Sequence, residues 1–544
     1  MYDALNRRTI ATYADASNTV YTYDKGNRLL QINDSTAGLI TRTYDGLNRL
    51  TSEQTPQGTV GYTYDAASRR ATMTVPGQAL ISYSYDNGNR LTQITQGSSI
   101  VQFGYDNANR RTSLTLPNNI LVEYAYDAAS RVTSITYKQN GTTVIGDLTY
   151  EYDKAGNRTK TGGSWARTGM PEPVTATSYD ANNRQLTFGD KILAYDDNGN
   201  LQSITDSNGT TLYSWNARNQ LVGISGPSVN ASFVYDGIGR REKKTINGNL
   251  TEFLYDRRNP VQETSGATVL ANILPGLGID EFLTRTDVVA GTTSNFLTDA
   301  LRSPVVVTDN AGTVQTEYTY EPFGKTTVTG NFNSSSYQYT GRENDGTGLY
   351  YYRKRYYHPE LQRFMSEDPI EYSGGDINLF SYVQNSPLGS VDSLGLFPMQ
   401  GMCNLLIPCP KPPKCGNGGR KDDPRCPQPQ PKPQPPPLPP APDCDTGRDC
   451  DGAGPLPDCV TKDCAPGKGP PEIDIPRPSS PPPLPGIPGN MGNPNDPYNY
   501  GGRTYDPDGN PIADYSRGIT GGGNQMGGPG AWTLNSSRNC WCWK

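Results

Sequence analysis

Residues 1–396 contain no cysteine, because all ten cysteines of this 544-residue chain follow residue 402. This part of the chain must therefore fold without disulfides. It also lacks an excess of basic residues: the whole net charge of −6 lies in residues 1–396, and the remainder is neutral. Binding to a phosphate backbone requires a basic surface, so nucleic acid is not expected as a partner of residues 1–396.

The sequence also lacks long apolar runs and a recognisable leader. No stretch of about 18 apolar residues exists, so no membrane span is predicted. Met1 is followed at once by Tyr2 and Asp3, without the charged and apolar regions of a secretory signal. Because the chain starts inside a repeated pattern, we expect it to be the C-terminal piece of a longer protein.

What the sequence does contain is a repeat built around Tyr-Asp pairs. Successive pairs stand 20 or 21 residues apart, and the pattern loosens after residue 150 and then resumes through about residue 260. A fixed period of this length indicates stacked copies of one small structural unit. The first regular pairs begin at Tyr2, Tyr23, Tyr44, Tyr64, Tyr85, Tyr105 and Tyr126.

Each repeat is predicted to be a β-hairpin. Val60, Tyr62 and Tyr64 alternate with smaller or polar residues, which is the pattern of a half-buried strand. Asp65 can then open a turn by accepting hydrogen bonds from nearby backbone N–H groups. The tyrosines, aspartates and arginines are interpreted as scaffold, because they follow the strand period. A role of the tyrosines as platforms for carbohydrate is the alternative.

The array resembles the YD-repeat (RHS) family, and so do the motifs that follow it. The resemblance implies an all-β fold in which antiparallel sheet spirals into a partial shell, or cocoon, around a C-terminal toxin. It divides the chain into a repeat array (1–260), an RHS-associated core (261–396) and a variable tail rich in Pro, Cys and Gly (397–544). The core motifs lie at residues 297–309, 318–324, 337–343 and 348–359, and continue to residue 396.

The resemblance also implies a self-cleavage site at the end of the core. The family's two catalytic aspartates correspond to Asp368 and Asp392, and the cleaved bond to Leu396–Phe397. Two carboxylates held close together favour different protonation states, so one can activate water while the other donates a proton. Arg363 is expected to hold a carboxylate or the developing oxyanion.

Four positions depart from the family pattern. Ala300 and Arg302 stand where His and Gly are usual, and His358 replaces an Asp. Ser393 replaces the proline expected after Asp392, and a serine does not fix the backbone as proline does. His358, the only histidine, is expected to be an exposed turn residue.

The tail is a different kind of polypeptide from the rest. Proline-dense segments at 427–442 and 476–488 favour extended polyproline conformation, and residues 489–530 are predicted to be loop-like or disordered. Its ten cysteines fit a disulfide framework, with a cysteine-only zinc site as the alternative. Without histidine the tail lacks the usual base or ligand of nucleases and deaminases, so its activity is not assigned.

The sequence therefore predicts a toxin carrier that releases its own tail by a single-turnover aspartyl cleavage. The expected partners are that tail, an export apparatus, an immunity protein and, alternatively, carbohydrate; no cofactor or metal is expected. Such a protein would be secreted or displayed on the cell surface. The competing hypotheses are a non-cleaving adhesion protein and a truncated, inactive copy.

Overall fold

The computed structural model describes residues 1–174 and 176–400, together with five short strand segments between residues 499 and 543. Within these residues the regular structure consists of β-strands and three short 3-10 helices, and no α-helix is present. Accordingly, no helix of the described part is long and apolar enough to cross a membrane. The predicted all-β fold class is confirmed.

The first large sheet has fifteen antiparallel strands that follow one another in chain order. Each strand pairs with the strands before and after it, so the sheet is one continuous meander. Its strands are β1 (Ile10–Thr12), β2 (Asn18–Tyr23), β3 (Leu29–Asp34), β4 (Gly38–Tyr44), β5 (Leu50–Thr55), β6 (Gly58–Tyr64), β7 (Arg70–Thr74), β8 (Ile81–Tyr85), β9 (Leu91–Gln96), β10 (Ser99–Tyr105), β11 (Arg111–Thr115), β12 (Leu121–Tyr126), β13 (Val132–Gln139), β14 (Thr143–Tyr152) and β15 (Arg158–Gly162).

The second large sheet has sixteen antiparallel strands in the same consecutive order. Its strands are β16 (Thr177–Tyr179), β17 (Gln185–Phe188), β18 (Lys191–Tyr195), β19 (Leu201–Asp206), β20 (Gly209–Trp215), β21 (Leu221–Ser225), β22 (Asn230–Tyr235), β23 (Arg241–Ile246), β24 (Asn249–Asp256), β25 (Asn259–Ser265), β26 (Thr268–Pro275), β27 (Phe282–Asp287), β28 (Thr292–Thr298), β29 (Pro304–Thr308), β30 (Val314–Tyr320) and β31 (Thr326–Gly330). Strand pairing continues without a break across residue 260. The domain boundaries at residues 260 and 396 stay predictions.

The Tyr-Asp pairs end one strand and open the turn to the next, as predicted. Asp65 Oδ1 accepts hydrogen bonds from the N–H groups of Ala67 and Arg69, both at 2.9 Å. Ser68 adopts the left-handed conformation, with φ 64°, that lets the chain reverse. The Tyr64 hydroxyl donates to the carbonyl of Leu50 at 2.7 Å, which satisfies its polar end while the ring packs on the sheet.

The arginine of each turn joins its own repeat to the next one. Arg49 pairs with Asp45 at 2.6 Å, and it also donates to the carbonyl of Asp65 and to Ser68 in the following turn. Its guanidinium lies 4.8 Å from the ring centre of Tyr64. The same contacts recur along the first sheet, so these residues serve as scaffold.

The two large sheets are held together by buried ionic and apolar contacts. Arg70 of the first sheet makes a bidentate pair with Asp256 of the second, at 2.5 and 2.8 Å, and Tyr62 donates to the same carboxylate. Arg240 reaches Glu53 at 2.7 Å. One apolar cluster contains residues from both sheets, so strands of the two sheets bury one another's faces.

A small compact module follows the second sheet and carries the candidate site. Its tyrosine-rich core includes Tyr350, Tyr352, Tyr357 and Tyr382, which are completely buried. Its elements are β32 (Glu343–Asn344), β33 (Tyr350–Tyr352), β34 (Arg355–His358), β35 (Arg363–Phe364), β36 (Ser390–Val391), β37 (Met399–Gln400) and the 3-10 helices Tyr339–Gly341, Glu371–Gly374 and Val383–Asn385.

Five short strand segments complete the described residues: β38 (Asn499–Tyr500), β39 (Arg503–Tyr505), β40 (Pro511–Ile512), β41 (Trp532–Asn535) and β42 (Cys540–Trp543). β41 and β42 pair antiparallel. The predicted disulfide framework, its zinc alternative, the polyproline segments and the loop-like character of the tail lie outside the residues that the structure describes.

Candidate functional site

A buried arginine at the start of β34 joins the two predicted catalytic aspartates. The guanidinium of Arg355 lies 3.0 Å from Asp368 Oδ2 and 3.7 Å from Asp392 Oδ2. It also lies 3.6 Å from the ring centre of Phe364, and all four residues are less than a tenth exposed. The structure therefore brings Asp368 and Asp392 to one cation, although they are 24 positions apart in sequence.

Asp392 opens the turn that leads to the predicted cleavage site. Its Oδ1 accepts three backbone hydrogen bonds, from Leu394 at 3.2 Å, Gly395 at 2.8 Å and Leu396 at 3.0 Å. Gly395 has a φ of 71°, a left-handed conformation that suits glycine. One oxygen of Asp392 thus shapes the turn, and the other faces Arg355.

Asp368 lies beside the carbonyl group of the predicted cleavage site. A Cβ atom added to Gly374 would stand 2.7 Å from Asp368 Oδ2 and 2.9 Å from the carbonyl oxygen of Leu396. The two oxygens are therefore neighbours across Gly374. Only glycine leaves room for this approach, because any side chain there would contact both groups.

A small cavity connects these groups. It is lined by Arg355, Asp368, Asp392, Leu396 and Phe397, among others. The two aspartates, their shared arginine and both residues of the predicted cleavage site therefore border one space.

Burial perturbs the ionisation of both aspartates. Burial raises the pKa of Asp368 to about 6, against the opposing effect of Arg355. Burial likewise raises the pKa of Asp392, while Arg355 and the three backbone N–H groups oppose the shift. At a pH near neutrality the pair can therefore hold a proton, which general acid–base catalysis requires.

Arg363 does not have the place expected of it. Its guanidinium donates to the carbonyl of Asn183 at 2.5 Å and lies 4.8 Å from the ring centre of Phe380. The residue that contacts both carboxylates is Arg355, which lies on the neighbouring strand of the same small sheet. Arg355 and Arg363 are both buried arginines next to aromatic residues, so the sequence carries no signal that separates them.

The departures from the family pattern have different consequences. His358 is buried in β34, so the expectation of an exposed turn residue was wrong. Its Nδ1 accepts a hydrogen bond from the N–H of Leu361 at 3.3 Å, and burial lowers the pKa of His358 to about 4. Arg302 has a φ of 67°, which explains why glycine is usual there. Ala300 is buried and donates its N–H to the Tyr150 hydroxyl at 3.2 Å.

The arrangement contains groups that peptide hydrolysis uses: two carboxyl groups, a fixed cation and a neighbouring peptide carbonyl. Across residues 1–174 and 176–400, no three His, Cys, Asp or Glu side chains form a group that could hold a metal ion.

Comparison with known proteins places the chain among toxin-related shells. The chain is 29% identical over 269 residues to the tRNA3(Ser)-specific nuclease WapA of Bacillus spizizenii, which covers 47% of this chain and 11% of that protein. It is 39% identical over 95 residues to the toxin subunit YenC1 of Yersinia entomophaga, covering 16% of this chain and 10% of that one. The chain thus spans about a tenth of the length of these relatives.

A solved structure shows the same fold. The crystal structure of TcdB2-TccC3 matches with a TM-score of 0.54 over 73% of this chain and 28% of that one, at 18% identity. The Teneurin YD-shell family matches residues 54–143 and 118–387, which is more than half of the chain and includes Arg355 and Asp368. The chain therefore belongs to the Teneurin YD-shell family and is a YD-shell scaffold related to toxin carriers.

Proposed function

We propose that this protein is a toxin carrier that cuts its own chain between Leu396 and Phe397 and so frees its C-terminal region. One observation carries the proposal: Asp368 and Asp392 share the buried cation of Arg355, and the three line one cavity with Leu396 and Phe397. A scaffold gains little stability from two buried carboxyl groups beside one cation, because burying charge is costly. A catalytic role explains why two carboxyl groups are buried together at this position.

In the proposed reaction, water attacks the carbonyl carbon of Leu396. Asp368, protonated and adjacent to the carbonyl oxygen, donates its proton to that oxygen as the C–O bond lengthens. Asp392 accepts a proton from the attacking water through its Oδ2. Arg355 stabilises the carboxylate that Asp368 becomes.

Collapse of the tetrahedral intermediate then breaks the Leu396–Phe397 bond. Asp392 returns its proton to the departing nitrogen of Phe397, and Asp368 recovers its proton from the hydroxyl group. The products are a carboxyl group on Leu396 and an amino group on Phe397, and one water is consumed. Because the substrate is the chain itself, the site acts once.

The wider role is proposed from the relatives. Their names describe nucleases and toxin subunits. By analogy, we propose that residues 397–544 are the cargo, that an immunity protein and an export apparatus are further partners, and that the protein acts outside the cell or on its surface. The activity of the cargo is not assigned.

Intact-mass measurement of freshly purified protein tests the cleavage. We expect two fragments meeting at Leu396 and Phe397 in the wild type, and one uncut chain in Asp368→Asn and in Asp392→Asn. The control is Glu151→Gln, which changes an exposed carboxylate paired with Lys160 on the first sheet and should cut normally. A single 544-residue species in the wild type under all conditions would refute cleavage and favour a non-cleaving adhesion protein or an inactive copy.

A further inference from the structure

The turn before the predicted cleavage site is held by three consecutive residues. Residues 353, 354 and 355, here named the 353–355 clamp, form the turn from β33 into the start of β34. The carbonyl of Ser393 accepts a hydrogen bond from the guanidinium of Arg353. The carbonyls of the next two residues accept from the backbone N–H of Lys354 at 3.1 Å and from Arg355 Nε at 2.6 Å.

The clamp binds one side of the turn while Asp392 binds the other. Asp392 accepts from the N–H groups of residues 394, 395 and 396, and the clamp donates to the carbonyls of residues 393, 394 and 395. The turn also packs tightly, because a Cβ atom on Gly395 would stand 2.5 Å from the carbonyl oxygen of Tyr352. The hydrogen-bonding groups are thus fixed up to the carbonyl group of Leu396.

Arg353 is itself fixed by a buried carboxylate. It binds Asp280 Oδ1 at 2.5 Å and Oδ2 at 3.1 Å, and it donates to the carbonyl of Arg258 at 3.2 Å. Asp280 is 2% exposed and also pairs with Arg342 at 2.5 Å. A bidentate pair of this kind leaves the guanidinium little freedom, so its contact with Ser393 is rigid.

From these contacts we propose that Arg353, anchored by Asp280, is a positioning residue for self-cleavage, and that its bond to the Ser393 carbonyl restrains the residue that proline would stiffen. Proline would fix φ at this position by its ring. Serine leaves φ free, and the bond from Arg353 to the Ser393 carbonyl restrains the same residue from outside. The inference rests on the proposed function, because what it positions is the Leu396–Phe397 bond.

The proposal predicts that proline and Arg353 are interchangeable. Misplacing a reacting bond by about 1 Å can cost about 100-fold in rate, so we expect Arg353→Met to slow self-cleavage by about this factor. Ser393→Pro alone should cut at the wild-type rate or faster, because none of the three N–H groups bound by Asp392 belongs to residue 393. Ser393→Pro combined with Arg353→Met should restore the rate to within about threefold of Ser393→Pro.

The rates are measured by refolding the full chain from urea and following the two fragments by mass. Lys160→Met, which removes an exposed cation of the first sheet, is the matched control. Wild-type rates in Arg353→Met would overturn the proposal. The proposal would also be overturned if Arg353→Met cut slowly with an unchanged unfolding midpoint in urea and the added Ser393→Pro did not restore the rate.

A second measurement separates this inference from the proposed function. Hydrogen exchange of the Leu394, Gly395 and Leu396 amides is compared in the Asp368→Asn background, in which no cutting is expected. Arg353→Met should speed exchange at these amides and Ser393→Pro should slow it again, whether or not the wild type cleaves. Unchanged exchange would refute the clamp, and an uncut wild type with the expected exchange would refute only the cleavage.

Discussion

The pH dependence of self-cleavage follows from the protonation of Asp368. If Asp368 donates a proton to the Leu396 carbonyl oxygen, the rate is proportional to the protonated fraction of this carboxyl group. Burial raises its pKa to about 6. The rate should therefore fall about tenfold per pH unit well above pH 6, and it should fall again at low pH, where Asp392, the base for the attacking water, becomes protonated.

The magnitude can be stated for each pH. With a pKa of about 6, the protonated fraction is about 0.9 at pH 5, about 0.09 at pH 7 and about 0.01 at pH 8. With the ordinary pKa of 3.8, less than about 0.001 would be protonated at pH 7. The buried position of Asp368 is thus expected to make cleavage at neutral pH roughly 100-fold faster than an exposed aspartate would allow.

The assay is refolding from urea into buffers between pH 4.5 and 8.5, with fragment mass measured over time. Intrinsic fluorescence of the same samples checks that refolding is complete at each pH, and Asp368→Asn shows the uncut baseline. A rate that does not change between pH 5 and 8 would refute the role of Asp368 as acid. A rate that rises with pH would assign Asp368 as the base instead.

Three further predictions test the cation at the site and the packing of the large sheets. Arg355→Met should abolish cleavage, because it removes the cation shared by the two aspartates. Arg363→Met should keep the rate within about threefold, because Arg363 donates to the Asn183 carbonyl instead. The masses of the fragments distinguish the two variants. Asp256→Leu and Arg70→Met should each lower the free energy of unfolding in urea by about 3–5 kcal/mol, because each leaves a buried charged partner without its counter-ion. The double variant should lose much less than the sum of the two. Gly146→Ala should lower the free energy of unfolding by about 1–3 kcal/mol, because its Cβ would stand 2.0 Å from the Trp165 ring. The control is Gly46→Ala, where a Cβ has no atom within 4 Å. Equal unfolding midpoints of the two variants would contradict this packing.

Much of the fold could be predicted because its information is local. A Tyr-Asp pair followed by Asn or Ser and Arg specifies a strand, an Asp-capped turn and a return strand within ten residues, as at Asp65 and Ser68. The repeat then predicts consecutive pairing. The same logic failed for His358, where the proline after it suggested an exposed turn but β34 buries it in the small sheet.

The candidate site was predicted only in part. Asp368 and Asp392 were identified from a family motif, and the structure brings them to the same cation, Arg355. Arg355 was missed in favour of Arg363, although both are arginines beside aromatic residues on neighbouring strands. Which one reaches the carboxylates depends on the direction of each side chain from its strand, and the sequence spacing does not give that direction.

The sequence by itself determined the hairpin repeat, the all-β class and the turn that Asp392 opens, because hydrogen bonds between residues a few positions apart fix these features. Only the tertiary structure decided that an ion pair of Arg70 and Asp256 joins the two sheets, and that Arg353 and Arg355 donate hydrogen bonds to the turn before Leu396. These contacts join residues that are 40 to 186 positions apart. Contacts over such separations form only when the packed sheets bring the side chains together, so no local pattern encodes them.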